Sequence, residues 1–249
     1  MYQQLIMSDN TWHSATDIQK IFDRIAPVYD EFNNWLSFGQ HRIWKQMTVN
    51  WTEAKHSDVG LDICCGSGDL SQLLARKVGK TGKVIGLDFS QELLAIAAQR
   101  ASKKYPMLRL EWVQGDALNL PFEDNTFDCA TMGYGLRNVT DIPRCLQEIH
   151  RVLKPKAKVA ILDFHRPYQP WQQIFQKWYL DHLVVPLAQQ YGLKDEYAYI
   201  MPSLERFPSG TDQVKLAQKV GFDSVIHYPI VGGMMGVLVA TKTVRTEHN

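Results

Sequence analysis

Three acidic residues and two glycines are spaced along the first half of the chain as a small-molecule site would require. Gly66 and Gly68 lie in a short turn that follows an apolar run containing Asp62. Asp88 and Asp116 stand at the ends of two later apolar runs. Glycines let the backbone bend and let a ligand approach bare peptide groups, and carboxylates accept hydrogen bonds from hydroxyl, amine or ammonium groups. This pattern predicts a site for a polar, partly cationic ligand.

The residues of the glycine turn show which nucleotide cofactors it could bind. A mononucleotide P-loop needs Lys-Ser or Lys-Thr after its glycines, whereas Asp69 and Leu70 follow Gly68. The dinucleotide fingerprint needs a third glycine where Ser71 stands, and Asp69 would bring a carboxylate towards a pyrophosphate. Asp62 suits a ligand with positive charge, which describes S-adenosylmethionine with its ammonium and sulfonium groups. For this segment alone, a tight strand-to-helix turn without a ligand is the alternative.

Asp88 and Asp116 extend the same hypothesis along the chain. An acid at the end of the second strand of a doubly wound sheet can accept both hydroxyls of a ribose. Asp88 holds that position, and because Ser90 can cap the following helix, we favour the ribose role over an interaction with the helix dipole. Asp116 follows the third strand and can accept from an adenine amine, while a turn-capping aspartate is the alternative.

Short apolar runs alternate with helical periodicity through the middle of the chain. We predict strands at 59–63, 83–88, 108–114, 127–132 and 158–164, and helices at 69–77, 90–104 and 141–153. This alternation predicts an α/β fold of Rossmann type, a mostly parallel sheet with helices on both faces and ligands at the carboxyl ends of the strands. A last helix at 211–219 and strands at 225–230 and 235–241 predict a hairpin that closes the sheet edge.

Two helical regions flank this alternation. Apolar residues at three-to-four spacing from 16 to 36 predict a helix with a break near Pro27. The stretch 168–207 is rich in aromatic and aliphatic residues but is interrupted by charges, so it predicts a helical insert and not a bilayer span. Buried core is the common explanation of such a stretch. A lid over a lipid-like substrate, or a face in peripheral contact with a membrane, is the alternative.

Composition bounds the class of protein. A chain of 249 residues suits one α/β domain, and 27 Lys plus Arg against 26 Asp plus Glu give no electrostatic footprint for nucleic acid. The four cysteines lack the CxxC spacing of a zinc site, so we expect no metal and reduced thiols in a cytoplasmic compartment. We also expect no secretory signal, because residues 1–16 lack an apolar core. The sequence leaves open whether the protein is a monomer or a homo-oligomer.

Two longer motifs carry a family resemblance. The first comprises Tyr29-Asp30, Asn33, Ser37, Gly39, His41, Arg42 and Trp44, and the second Arg151-Val-Leu-Lys-Pro155 with Gly135-Leu-Arg-Asn138 and Leu120-Pro-Phe122. With these motifs the chain resembles, over nearly its whole length, the ubiquinone/menaquinone biosynthesis C-methyltransferases, which are class I S-adenosylmethionine-dependent enzymes. Cys64 and Cys65 depart from the family pattern by replacing small residues of the glycine turn.

The resemblance implies an organisation and a set of site residues. It implies a single methyltransferase domain, with a substrate cap at 16–50, a cofactor-binding core at 57–164, the insert at 168–207 and a last helix and hairpin at 208–245. The implied fold is a seven-stranded, mostly parallel sheet with a C-terminal β-hairpin. The expected cofactor-binding residues are Asp62, Gly66, Gly68, Ser71, Asp88, Asp116, Ala117 and Gly133. The expected catalytic residues are Tyr29, Arg137, Asn138 and His41.

The residues of these motifs most resemble those of the family branch found in cyanobacteria and plastids, whose enzymes methylate demethylphylloquinone. The implied substrate is a prenylated naphthoquinol, a 2-phytyl-1,4-naphthoquinone in its reduced form. A ring carbon is a poor nucleophile until the neighbouring hydroxyl loses its proton, so Arg137 and Asn138 are expected to stabilise the phenolate oxygen. His41 is one candidate base and Asp163 another. A methyltransferase for another quinone precursor or lipid phenol, and a non-catalytic scaffold subunit, are the alternatives.

Overall fold

The computed structural model describes residues 39–167, 169–190 and 200–243, and within them a seven-stranded sheet forms the centre of the fold. Its strands are β1 Val59–Ile63, β2 Lys83–Asp88, β3 Leu110–Gln114, β4 Phe127–Gly133, β5 Leu153–Phe164, β6 Phe222–Ile230 and β7 Met235–Lys242. The spatial order is β3-β2-β1-β4-β5-β7-β6. The first five strands pair in parallel, and β7 lies antiparallel between β5 and β6. The predicted Rossmann-type fold with a C-terminal hairpin is therefore confirmed.

Helices connect the strands and follow the sheet. They are α1 His41–Trp51, α2 Asp69–Val78, α3 Gln91–Lys104, α4 Ile142–Val152, α5 Pro170–Tyr179, α6 Val185–Gln190, α7 Ile200–Arg206 and α8 Gly210–Lys219. A π-helical segment, Leu180–Val184, joins α5 to α6, and 3-10 turns occur at Leu136–Asn138 and Val231–Gly233. The helix predicted at 16–36, with its break at Pro27, lies outside the described residues.

Local sequence explains most element boundaries. The Ser90 hydroxyl accepts from the backbone N–H of Leu93 at the start of α3, and the Asp141 carboxylate caps α4 in the same way. β5 begins at Leu153, whereas the sequence predicted 158, because Leu153 already pairs with Phe127 ahead of a bulge in the register. Pro155 and three lysines give this end of β5 the composition of a loop, which concealed it.

The core lies on both faces of the central strands. Every residue of β1 after Val59 is buried, and so is every residue of β2 after Lys83, as expected for parallel strands covered by helices on both sides. Helix α1 packs against α2 and β5, and its buried face is unusually polar. The buried residues of that face are His41, Lys45, Thr48 and Val49. This face brings two nitrogen-bearing side chains to the carboxyl edge of the sheet.

Candidate cofactor and substrate site

Two adjoining cavities open at the carboxyl ends of β1, β2, β3 and β4. The larger has about 840 Å³ of space outside the protein atoms, part of which is open to solvent. Its lining consists of Cys64, Gly66, Asp88, Phe89, Ser90, Leu93, Gly115, Asp116, Ala117, Leu118, Gly133, Tyr134, Gly135, Asn138, Val139 and Thr140. The cavity lies where a doubly wound sheet is expected to bind its ligand.

The smaller cavity lies beside α1 and α2 and encloses about 320 Å³. It shares Cys64, Gly66, Gly133 and Tyr134 with the larger cavity, so the two form neighbouring parts of one site. Its remaining lining residues are Lys45, Asp62, Cys65, Ser67, Asp69 and Leu70. Three of these can carry charge, which makes this part of the site the more polar one.

The two glycines of the turn have different structural roles. Gly66 has φ +54°, and a Cβ built there would meet no described heavy atom within 4 Å. Gly68 has φ +85° at the N-cap of α2, and a Cβ there would approach Trp112 to 2.7 Å and Ala97 to 2.9 Å. Gly66 therefore leaves space at the cavity, whereas Gly68 allows the turn to pack against Trp112.

Asp88 is held in position by the backbone at the end of β2. One carboxylate oxygen accepts from the N–H of Gly66 at 2.7 Å and the other from the N–H of Ser90 at 2.9 Å. The residue is 8% exposed and lines the larger cavity. Both oxygens are thus held in a fixed orientation beside the cavity, and a carboxylate oxygen can accept more than one hydrogen bond.

Asp62 lies deeper, at the floor of the smaller cavity. Its carboxylate is fully buried and accepts from the hydroxyl of Ser71 at 2.5 Å and from that of Thr131 at 2.8 Å. Burial raises the pKa of Asp62 to about 7, against the opposing effects of these hydroxyl groups and of the Lys45 charge. The lining described for the two cavities does not include Ser71, which instead orients Asp62 from behind.

The two residues expected to border an adenine, Asp116 and Ala117, both line the larger cavity. Asp116 is exposed, and its side chain accepts from the N–H of Leu118 at 2.9 Å, so it also caps a turn. Ala117 is buried and lines the cavity. Gly133 lines both cavities at the end of β4, where a Cβ would come within 2.6 Å of Leu70. A larger residue at 133 would therefore narrow the passage between the two cavities.

Arg137 forms a buried ion pair with Asp163. Its Nη1 lies 2.8 Å from Asp163 Oδ1 and also donates to the Tyr134 carbonyl, while its backbone N–H donates to Asp163 Oδ2. The side chains are 9% and 2% exposed, and the guanidinium lies 5.2 Å from the Phe164 ring centroid. Burial raises the pKa of Asp163, and Arg137 opposes that rise. Asp163 thus orients Arg137 through both of its oxygens, and it is in the described lining of neither cavity.

Two buried polar atoms at this turn have no hydrogen-bond partner among the described residues. They are Nε of Arg137 and Oδ1 of Asn138. The Asn138 amide nitrogen donates to the Tyr134 carbonyl at 2.8 Å. An amide nitrogen has two N–H groups, so Asn138 can still be expected to donate to a substrate oxygen, and its Oδ1 adds a buried acceptor at the same place. A buried donor and a buried acceptor left unpaired are costly unless a ligand completes them.

The expected catalytic roles of His41 and Tyr29 do not have the structural support that Asn138 has from its position. His41 is 6% exposed on α1 and lies near enough to Asp69 to help lower its pKa. The lining described for the two cavities does not include His41. Tyr29 lies outside the described residues. Of the expected catalytic residues that the structure describes, Asn138 lines the larger cavity, whereas Arg137 and His41 are in the lining of neither cavity.

Sequence reasoning missed Lys45 and Tyr134. The Lys45 ammonium lies 2.7 Å from Asp69 Oδ2 and 6.0 Å from the Tyr134 ring centroid, at the smaller cavity. Lys45 is four residues after His41, so the helical period alone could have placed both on one face. Tyr134 and Cys64 both have positive φ, +60° and +53°, although neither is a glycine. Such strained residues cluster at ligand sites.

Part of the second motif has a structural role. The Arg151 guanidinium donates to Glu148, to the carbonyls of Leu120 and Phe122, and to Asp124. These bonds fasten the loop before β4 to the end of α4. The loop in turn follows Asp116 and Ala117, so Arg151 supports the part of the cavity that these two residues line without lining it itself.

Comparison with known proteins agrees with this geometry. The model of the ubiE/COQ5 methyltransferase family matches residues 10–242. A Nostoc sp. protein named 2-phytyl-1,4-naphtoquinone methyltransferase is 64% identical over 225 residues, covering 90% of this chain and 98% of the relative. A chloroplastic Arabidopsis thaliana protein of nearly the same name is 53% identical, with 89% of this chain and 86% of the relative covered.

Solved structures support the fold alone. An S-adenosylmethionine-dependent methyltransferase from Aquifex aeolicus superposes with a TM-score of 0.62 at 19% identity, covering 85% of this chain and 97% of the other. The matching family model and the high identity to the curated relatives indicate a methyltransferase. The chain therefore belongs to the ubiE/COQ5 methyltransferase family and is an S-adenosylmethionine-dependent enzyme.

Proposed function

We propose that this enzyme methylates a ring carbon of 2-phytyl-1,4-naphthoquinone in its reduced form, the methylation step of phylloquinone biosynthesis. The observation that carries the proposal is the 64% identity, over 90% of the chain, to a relative named for that substrate. The larger cavity supports it, because the cavity combines carboxylates at one end with apolar and amide groups at the other.

The residues at the carboxyl edge fit S-adenosylmethionine. Asp88 offers two oriented oxygens to the ribose, and Asp116 with Ala117 borders the position proposed for adenine. Gly66 leaves open space where a side chain would obstruct the ligand. Asp62, at the floor of the smaller cavity, suits the ammonium group. When bound, the cofactor supplies an electrophilic methyl group on its sulfonium.

The turn that follows β4 supplies the groups that would meet the quinol. Asn138 Oδ1 is a buried acceptor suited to the hydroxyl next to the reacting carbon, and Arg137 Nε is a buried donor suited to a ring oxygen. Asp163 neutralises much of the Arg137 charge and fixes the guanidinium plane. The pair therefore orients a hydrogen-bond donor in a site shielded from water, where such a bond stabilises developing oxyanion charge strongly.

The functional test compares methyl transfer with cofactor binding. We expect Asn138→Ala to retain affinity for S-adenosylhomocysteine and to slow transfer of a labelled methyl to the reduced naphthoquinol about 100-fold, as for loss of one oriented group. The control is Asn50→Ala, an exposed residue of α1 that should change neither quantity. A wild-type protein that binds the cofactor and labels no quinol would instead indicate a scaffold. Unchanged transfer by Asn138→Ala would refute the assigned site.

The oxidised substrate offers a second comparison. A quinone carries no hydroxyl proton to lose, so its ring carbon cannot become the phenolate-activated nucleophile. We expect label in the product with dithionite-reduced substrate and none with the quinone in oxygenated buffer. Equal labelling of both forms would contradict the proposed chemistry.

We also propose that α5 forms a peripheral membrane contact through which the phytylated substrate enters. Its exposed residues Trp171, Ile174, Phe175 and Trp178 follow i, i+3, i+4, i+7 spacing and are 47% to 71% exposed. No helix among the described residues has both the length and the apolarity needed to cross a bilayer. Aromatic side chains on one helix face, next to the exposed Lys177, suit the interface of an anionic membrane.

Vesicle binding tests this contact. Trp171→Ser combined with Trp178→Ser should reduce co-sedimentation with anionic phospholipid vesicles at least about tenfold, given the apolar area removed. Ile43→Ser is the matched control, since Ile43 is 61% exposed on α1 and away from this face. Loss of vesicle binding by the control alone, or by neither variant, would refute the assignment of this face.

A further inference from the structure

The smaller cavity contains one buried cation between two carboxylates. Lys45 is 5% exposed, and its ammonium lies 2.7 Å from Asp69 Oδ2. The same charge acts on Asp62, whose pKa it lowers against the effect of burial. A lysine is rarely buried so completely unless its charge has a use or a partner. Here the buried ammonium lines a cavity that adjoins the proposed cofactor site.

We propose that Lys45 binds the α-carboxylate of the cofactor's amino-acid end. The inference rests on the proposed function, because it assigns part of the same site. The amino-acid end of S-adenosylmethionine is zwitterionic, with one ammonium and one carboxylate. The smaller cavity matches it with two carboxylates and one ammonium. Asp62 faces the ligand ammonium, and Lys45 is the oppositely charged group that a carboxylate requires.

Lys45 can take a second anion without abandoning the first. An ammonium has three donors, and Asp69 uses one of them. Arg100 lies 3.9 Å from Asp69 Oδ1 and His41 also acts on Asp69, so this carboxylate keeps positive neighbours when Lys45 is shared. Tyr134 and Gly66 line both cavities, so the cavity that contains Lys45 lies next to the proposed adenosine position.

The alternative is a purely structural ion pair that fastens α1 to α2. The two explanations differ in how affinity depends on the ligand carboxylate. A structural pair affects every cofactor analogue equally, whereas a carboxylate anchor affects only those that carry the carboxylate. Decarboxylated S-adenosylmethionine lacks this group and keeps the sulfonium, ammonium and adenosine, so it isolates the interaction.

Calorimetric titration at fixed ionic strength can separate the two. The wild-type protein should bind S-adenosylmethionine about 10- to 100-fold more tightly than its decarboxylated analogue, as expected for one charge-assisted hydrogen bond. Lys45→Met should abolish or reverse this preference, because the two acids then favour the more cationic ligand. Lys45→Arg should keep most of it, and Asp69→Asn, which breaks the same ion pair but retains the ammonium, should keep it as well.

One control variant and three refuting outcomes complete the test. Lys83→Met removes an ion pair of the same length, with Glu111, outside the lining described for the two cavities, and should leave the preference unchanged. Equal wild-type affinity for the two ligands refutes the proposal even if Lys45→Met fails to fold. Equal loss of both ligands in Lys45→Met refutes it in favour of the structural pair. A wild-type protein that binds neither ligand refutes the proposed cofactor function itself.

Discussion

The buried pair of Arg137 and Asp163 predicts an asymmetry between two substitutions. Asp163→Asn leaves a guanidinium that cannot lose its proton, in a side chain only 9% exposed. We expect a loss of about 3 to 5 kcal/mol in the free energy of unfolding, the usual effect of breaking a buried pair. Arg137→Met leaves a carboxylate whose pKa burial already raises, so Asp163 can take up a proton and the loss is smaller.

The asymmetry depends on pH in a defined direction. A carboxyl group whose folded pKa is raised contributes full stability at low pH and loses it as pH rises through that pKa. Removing the Arg137 charge takes away the effect that opposes this rise. The destabilisation by Arg137→Met should therefore be smaller at pH 5 than at pH 8.

Urea denaturation followed by tryptophan fluorescence measures both effects. Each variant is compared with the wild type at the same pH, so that other titrating groups cancel. The double variant Arg137→Met/Asp163→Leu is the control and should be less destabilised than the sum of the single variants. A pH-independent loss in Arg137→Met, or a larger loss there than in Asp163→Asn, would show that the pair is not held as described.

Three further predictions concern the surrounding structure. Burial lowers the pKa values of His165 and His227 to about 4, and their Nε2 atoms lie 2.9 Å apart. The two neutral imidazoles contribute their full stability above pH 6.5, and this contribution is lost as pH falls towards 4, by roughly 3 kcal/mol for His165. His227→Gln should therefore flatten the pH dependence of the unfolding free energy measured by urea denaturation. Gly68→Ala should lower the free energy of unfolding by about 1 to 3 kcal/mol, and Gly66→Ala by less, because only the Cβ at position 68 meets Trp112. Gly66→Ala should instead weaken cofactor binding in a titration. Arg151→Met should cost about 1 to 3 kcal/mol by thermal denaturation while leaving cofactor affinity within about threefold, since its bonds hold a loop and not the ligand.

The fold was predictable because its signals are local. The apolar runs of β1, β2 and β4 are buried on both faces, and the caps at Ser90 and Asp141 mark helix starts in the sequence itself. Glycine turns and acids at strand ends then located the site at one edge. The start of β5 at Leu153 was not predictable, because it depends on pairing with Phe127 across the fold.

The site was predictable in position but not in detail. Asp88 and Asp116 lie at the cavity, as their places at strand ends indicated. The partner of Arg137 is Asp163, which lies 26 residues away in the next strand, so only the folded chain shows that the cation is already paired. The same holds for Asn138, whose amide nitrogen donates one of its two N–H groups to the Tyr134 carbonyl. Side-chain pairing across strands decides which atoms remain for a ligand.

Lys45 shows what a sequence pattern conceals. Its motif drew attention to His41 because imidazole is the usual base at neutral pH. The helix places both residues on its buried face, and it is Lys45 that lines a cavity. Distinguishing them required the position of Asp69, which lies 24 residues further along the chain.

The central claim is methyl transfer to a ring carbon of a phytylated naphthoquinol, and a competition experiment tests it most directly. The wild-type enzyme receives S-adenosylmethionine labelled in its methyl group together with equal concentrations of 2-phytyl-1,4-naphthoquinol and a benzoquinol bearing the same tail. We predict that the label appears on the ring carbon next to the phytyl-bearing carbon of the naphthoquinol, in large excess over the benzoquinol. Label confined to the benzoquinol, or found on a quinol oxygen, would contradict the account.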